Sequence, residues 1–139
     1  MTGPDHEPPF EDLDFLYTPS RDVAAEARYL TRVLGGQLVF AIEDGGTRVA
    51  MVSLSASPPA ILLTDHLDGE RPILVYRVAS LAAAMDELAS RGWSRERSLE
   101  LPPGPATSFV TPGGHRIALY ESSRPFVLAG FAGRRDFEV

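Results

Sequence analysis

The sequence predicts a single small α+β domain made of two βαβββ units in tandem. Three observations predict it. The chain has 139 residues, enough for one domain with its own core. The order strand, helix, three strands is read twice along it. In each half the helical segment runs into a glycine, after which the apolar periodicity shortens from that of a helix to that of strands.

The elements follow in order. Residues 1–12 read as a flexible leader rich in proline and acid, with Phe10 its one large apolar residue. Residues 13–18 form a strand stopped by Pro19. Ser20 or Asp22 can cap a helix reaching about Leu34, because Val23, Ala27, Leu30 and Val33 or Leu34 recur at helical spacing. Gly35 and Gly36 end it. Strands at 37–42 and 47–54 flank Asp44-Gly45-Gly46, a hairpin signal because such turns need positive φ. A third strand covers 60–64, and the first unit closes near residue 65.

The second unit spans about 72–121. A strand at 72–78 precedes a helix capped by Ser80, with Leu81, Ala84, Met85 and Leu88 on its apolar face and Gly92 at its end. Strands are expected at 93–101, 107–111 and 115–121, the last two joined by Pro112-Gly113-Gly114. Phe15 to Val23 lies over Ile73 to Leu81 in pattern, strand then capped helix. Pairing within each half leaves exposed strand edges, so the halves must join edge to edge or swap between chains. Residues 122–139 form a tail whose Phe126, Val127, Leu128, Phe131 and Phe137 could pack on the body or on a partner chain, with Phe126, Leu128 and Phe131 the candidates for a homodimer contact.

Composition excludes several function classes. With no cysteine there is no disulfide, thiolate site or cysteine nucleophile, and the chain suits a reducing cytoplasm. All thirteen basic residues are arginine, which removes lysine Schiff-base chemistry. A net charge of -6 argues against nucleic-acid binding. No apolar run is long enough for a membrane span, and the N-terminus lacks the features of a signal peptide. The serines have no attendant histidine and acid in a recognisable order, and neither glycine pair precedes a helix as a phosphate cradle would.

Three local patterns carry a family resemblance: Leu13-Asp14-Phe15, the helix end Tyr29-Leu30-Thr31-Arg32-Val33-Leu34-Gly35, and Thr111-Pro112-Gly113-Gly114-His115-Arg116-Ile117-Ala118-Leu119. In this order and spacing the chain resembles the vicinal oxygen chelate superfamily, which includes glyoxalase I, extradiol dioxygenases and bleomycin-resistance proteins. The resemblance covers residues 13–121. It implies that the two units curl into mixed sheets around a cup with the helices outside, and that the protein is a homodimer.

Metal-binding members hold their ion with four side chains from strands one, four, five and eight. Carried over by position, those places fall on Phe15, Leu62, Ile73 and Ala118. All four are hydrocarbon and offer no lone pair to a cation. A one-residue slip would not supply ligands, because it turns each side chain to the opposite face. No metal or other cofactor is therefore expected.

Alternation along the strands then gives the cup lining: Phe15 and Tyr17, Ala60, Leu62 and Thr64, Ile73, Val75 and Arg77, and Arg116, Ala118 and Tyr120. The expected ligand is an apolar or aromatic organic molecule, with Arg77 and Arg116 as possible polar anchors; Arg77 could instead pair with a nearby acid such as Glu43 or Glu100, and Arg116, near a strand start, could be structural. The aromatic residues could equally fill a dry core. His66, after the fourth strand, reads as a surface histidine or a general base at the rim; His6 and His115 read as exposed. The leading function is metal-independent binding of a drug-like or natural compound. The alternatives are a metal-dependent lyase, isomerase or dioxygenase whose groups lie elsewhere, with His66, Glu121 and Tyr17 as candidates, and a structural or dimerisation module with a filled cup.

Overall fold

The structure is a computed structural model and describes residues 9–139. Its centre is one mixed sheet of eight strands, ordered β2-β3-β4-β1-β5-β8-β7-β6. The strands are β1 (Phe10–Pro19), β2 (Gln37–Asp44), β3 (Thr47–Ser53), β4 (Ala60–Thr64), β5 (Ile73–Val78), β6 (Arg97–Leu101), β7 (Gly104–Val110) and β8 (Arg116–Glu121). Each βαβββ unit supplies four neighbouring strands, and β1 and β5 join the units as an antiparallel pair in the middle. The edges left by the two halves thus meet within one chain.

Helix α1 (Val23–Arg28) starts where the Asp22 carboxylate accepts a hydrogen bond from the Ala25 amide at 3.0 Å, which settles the cap in favour of Asp22 over Ser20. It does not continue as a regular helix to Leu34. Tyr29–Val33 widens into a π-helical turn, with the Leu34 amide donating to the Tyr29 carbonyl. Val23, Ala27 and Leu30 pack on Ala50, Val52 and Leu63 of the sheet. Helix α2 (Leu81–Ala89) is capped by Ser80, whose hydroxyl accepts from Ala83 at 3.2 Å, and packs through Leu81, Ala84 and Leu88 on Val78 and Leu119. Both helices lie on one face of the sheet, leaving the other face to form the cup.

The structure corrects several boundaries. Phe10–Asp12 belong to β1 and not to a leader, because Phe10 stacks on Tyr76 at 5.3 Å and gains a sheet partner in Val78. Strand β6 is shorter than expected: Trp93 precedes it and packs edge-to-face on Phe109. Strand β7 begins at Gly104, earlier than expected, since Pro105 faces Glu100 without stopping the ladder.

The largest difference is in the tail. Pro125–Phe131 forms a third helix, α3, and its Leu128 and Phe131 pack into the cup cluster, Phe131 meeting Phe40 at 5.4 Å. Of the three residues expected at a homodimer contact, these two are therefore occupied within the chain, and Phe126 is exposed. No helix among the described residues is long and apolar enough to cross a membrane.

Candidate functional site

Pairing across the sheet sets side chains of the face opposite α1 and α2 in rows. One row runs Phe40, Met51, Leu62, Tyr17 and Ile73; the next runs Ala60, Phe15, Val75, Ala118 and Ser108. Phe15, Leu62, Ile73 and Ala118, the would-be coordination quartet, therefore sit in two adjacent rows. All four are buried in one apolar cluster with Tyr17, Val75, Tyr120, Phe40, Ile42, Met51, Leu101 and Ala106. Hydrocarbon packed on hydrocarbon supplies no donor, so these residues do not fit a divalent cation. Among the described residues no group of three or more His, Asp or Glu is placed to hold one.

The cup is only partly filled. Between the sheet and α3 lies a cavity of about 380 Å³, lined by Tyr17, Val49, Leu62, His66, Glu100, Leu101, Pro102, Arg124 and Val127. A larger depression of about 930 Å³ lies outside the cup, between α1 and residues 65–70, with Asp22, Glu26, Asp65, Asp68 and Glu70 among its lining residues. The smaller cavity is the better candidate, because apolar walls with a few polar groups suit an organic ligand.

The polar end of the cavity was only half visible in the sequence. The Tyr17 hydroxyl lies 2.9 Å from His66 Nε2, and His66 Nδ1 lies 2.5 Å from the Thr64 hydroxyl. Tyr17 and Thr64 are buried, while the His66 ring reaches the mouth. Burial, opposed by the Thr64 hydrogen bond, holds the Tyr17 phenol above its ordinary pKa, so it stays protonated. His66 is exposed, as a surface histidine after β4 would be, and its ring is held by Tyr17 and Thr64. The signal was its position two residues beyond Thr64, at the end of a strand beside Tyr17.

Arg77 is not free to anchor a ligand. It donates to Glu11, Asp12 and Asp14 at 2.9, 2.8 and 3.0 Å, so its partners come from β1 and are neither Glu43 nor Glu100. The cause is a bulge in β1. Leu13 pairs with Tyr76 but Phe15 with Val75, and the extra residue, Asp14, is turned inward. There Asp14 also accepts from the Tyr120 hydroxyl at 2.5 Å. Burial first, then this bond to Asp14, raises the Tyr120 pKa well above its usual range.

Arg116 is likewise engaged, forming a two-pronged pair with Glu96 at 2.9 and 2.8 Å while Ser108 donates to the same carboxylate. Arg116 and Ser108, in that order, hold the Glu96 carboxyl below its ordinary pKa. Glu121, a candidate catalytic acid, accepts from the Leu81 amide at 2.8 Å and serves the start of α2. His115 is exposed in its hairpin, and His6 lies outside the described residues.

No protein-family model matches the sequence, and no curated protein sequence matches it. Solved structures do match in fold. Methylmalonyl-CoA epimerase from Mycobacterium tuberculosis superposes with a TM-score of 0.68 and 22% identity, covering 88% of this chain and 97% of that one. A Streptomyces coelicolor methylmalonyl-CoA epimerase variant, in complex with 2-nitronate-propionyl-CoA, gives 0.66 and 14%, covering 82% and 96%. A hypothetical protein from Bacillus halodurans gives 0.63 and 13%, covering 79% and 93%. These epimerases are members of the vicinal oxygen chelate superfamily. The chain has the vicinal oxygen chelate fold. On that fold, the cup face here carries an apolar cluster, a modest cavity and the Tyr17–His66–Thr64 chain of hydrogen bonds.

Proposed function

We propose that the chain is a metal-independent binding protein that holds an apolar or aromatic organic molecule in its cup. A drug-like or natural-product compound is the most concrete version, bound by a homodimer in the cytoplasm. One observation carries the reading: the four positions that the vicinal oxygen chelate fold would use for coordination are Phe15, Leu62, Ile73 and Ala118, packed together beside a cavity of about 380 Å³. That volume falls at the lower end of the roughly 300–1,000 Å³ usual for small-molecule sites. The test is elemental analysis of purified protein combined with thermal shifts across a panel of aromatic natural products. The expected result is sub-stoichiometric metal and a rise in melting temperature with some members. Stoichiometric, tightly held Ni, Zn, Fe or Mn would overturn the proposal.

A second reading, an enzyme, draws support from the Tyr17–His66 hydrogen bond at the cavity mouth. Paired proton-handling groups of this kind can act as general acid and base. Turnover of a supplied substrate, methylmalonyl-CoA among those tried, that is lost in His66→Ala and kept in Ile73→Ala would favour it.

A further inference from the structure

The cavity has walls of one kind and an end of another. Val49, Leu62, Leu101, Pro102 and Val127 make the walls apolar. Its acidic and basic lining residues are paired with each other: Arg124 Nη2 donates to Glu100 at 2.8 Å and to the Leu101 carbonyl at 3.1 Å. The segment carrying His66 also carries Asp65, Asp68 and Glu70, which disfavours the approach of an anion. No excess charge in the cavity wall therefore calls for an ionic partner.

At the polar end, both ring nitrogens of His66 are engaged, one by Tyr17 and one by Thr64. A neutral imidazole has one N–H and one bare nitrogen. When the proton is on Nδ1, Nε2 accepts from the Tyr17 hydroxyl, whose oxygen keeps a lone pair for a donor. When it is on Nε2, that nitrogen donates to the Tyr17 oxygen, and the phenolic O–H is left to meet an acceptor. The same geometry can thus meet either kind of uncharged group, at the cost of a tautomer shift. Because burial keeps the phenol protonated, the Tyr17 oxygen has both a proton and lone pairs to offer at neutral pH.

We infer that the cavity selects an uncharged molecule with an apolar body and one hydroxyl or carbonyl group, and that the Tyr17 hydroxyl, set by the His66 tautomer, reads that group. This rests on the cup being a binding site. It adds the ligand's chemical class and the atoms that recognise it.

The experiment uses four probes sharing one body: propylbenzene, 4-propylphenol, 4-propylacetophenone and 4-propylbenzoate. Dissociation constants are measured by calorimetry on the full chain, on Tyr17→Phe and on His66→Ala. The phenol and the ketone are expected to bind about tenfold tighter than propylbenzene, the scale of one or two net hydrogen bonds, with the benzoate no tighter than propylbenzene. In Tyr17→Phe that advantage disappears, so that the phenol and the ketone bind no tighter than propylbenzene does to the same variant. His66→Ala removes the partner that sets the Tyr17 hydroxyl and serves if Tyr17→Phe fails to fold: the ratio of phenol and ketone binding to propylbenzene binding falls, whatever the change in propylbenzene binding itself. Equal binding of all four probes, or tightest binding of the benzoate, overturns the selection while leaving the cup as a binding site. Absence of binding by every probe at millimolar concentration overturns the cup reading itself, and the selection with it.

Discussion

Asp14 shows at the scale of one residue how the site is arranged. A buried carboxylate needs donors, and here Tyr120 and Arg77 supply them. Removing one donor should be felt: Tyr120→Phe is expected to cost about 1–2 kcal/mol in urea denaturation, because Asp14 then keeps Arg77 alone. The same hydroxyl sets an alkaline limit. Tyr17 and Tyr120 both have folded pKa values raised above the ordinary 10.0. Below about pH 10 both states hold the proton; above it the unfolded chain releases it first, so unfolding gains. Stability should therefore fall as pH rises above about 10, and less steeply in Tyr120→Phe. Equal slopes in urea midpoints for the two proteins would contradict this assignment. Asp14 was not legible in the sequence as part of the cup, because strict alternation along β1 turns it away; only the bulge brings it inward. Arg77 and Arg116 were placed on the correct face, but their partners depend on which acids the folded strands bring near. His66 was placed at the rim as one of two readings, but its contacts with Tyr17 and Thr64 were not legible, since a loop residue's direction has no period to read.

The elements themselves were more legible than their ends. Each strand and both early helices were marked by apolar spacing and by caps such as Asp22 and Ser80, features that lie within a few residues of one another. Helix α3 was not, because its seven residues are too few for a helical period, and only Leu128 and Phe131 turn toward the cup. Its role is testable. Phe131→Ala removes the ring that meets Phe40 and is expected to destabilise the fold by about 2 kcal/mol, below the range for a fully buried ring since Phe131 is half-buried. Binding of a hydrophobic dye should rise with it as the cup opens. Gly104 at the start of β7 makes a stricter demand. A Cβ there would lie 1.8 Å from the Glu121 carbonyl oxygen, a backbone atom that cannot rotate away. Gly104→Ala is expected to cost about 3 kcal/mol or more, read as a lowered urea midpoint or loss of soluble protein. A variant as stable as the parent would mean that β7 and the chain after β8 are farther apart than they stand here.

At the scale of the whole molecule, the question is what protects a sheet eight strands wide. Its centre is sealed by β1 against β5, which leaves β2 and β6 as edges. The last residues cover β2: Gly133 donates to the Val39 carbonyl, Ala41 donates to Arg134 and accepts from Asp136, and the Asp136 carboxylate accepts from the Glu43 amide. Residues 39, 41 and 43 are the alternate positions whose backbone groups point outward, so the tail satisfies the edge as a short added strand would. Arg134 holds the Asp136 carboxyl below its ordinary pKa, so the carboxylate stays an acceptor at neutral pH. Phe137 ties the segment down, packing against the α1 side of the sheet with the Arg48 guanidinium 4.5 Å from its ring centre. A chain ending at residue 132 would expose those amides and carbonyls and would lose Phe137 and Val139 from the apolar cluster that α1 forms with the sheet. It should then associate through β2, whereas β6, short and bearing Arg97 and Glu100, should stay unpaired. Sedimentation at several concentrations checks this: the truncated chain should grow in mass with concentration beyond the assembly state of the full chain. If it does not, the β2 edge is protected by something other than the tail.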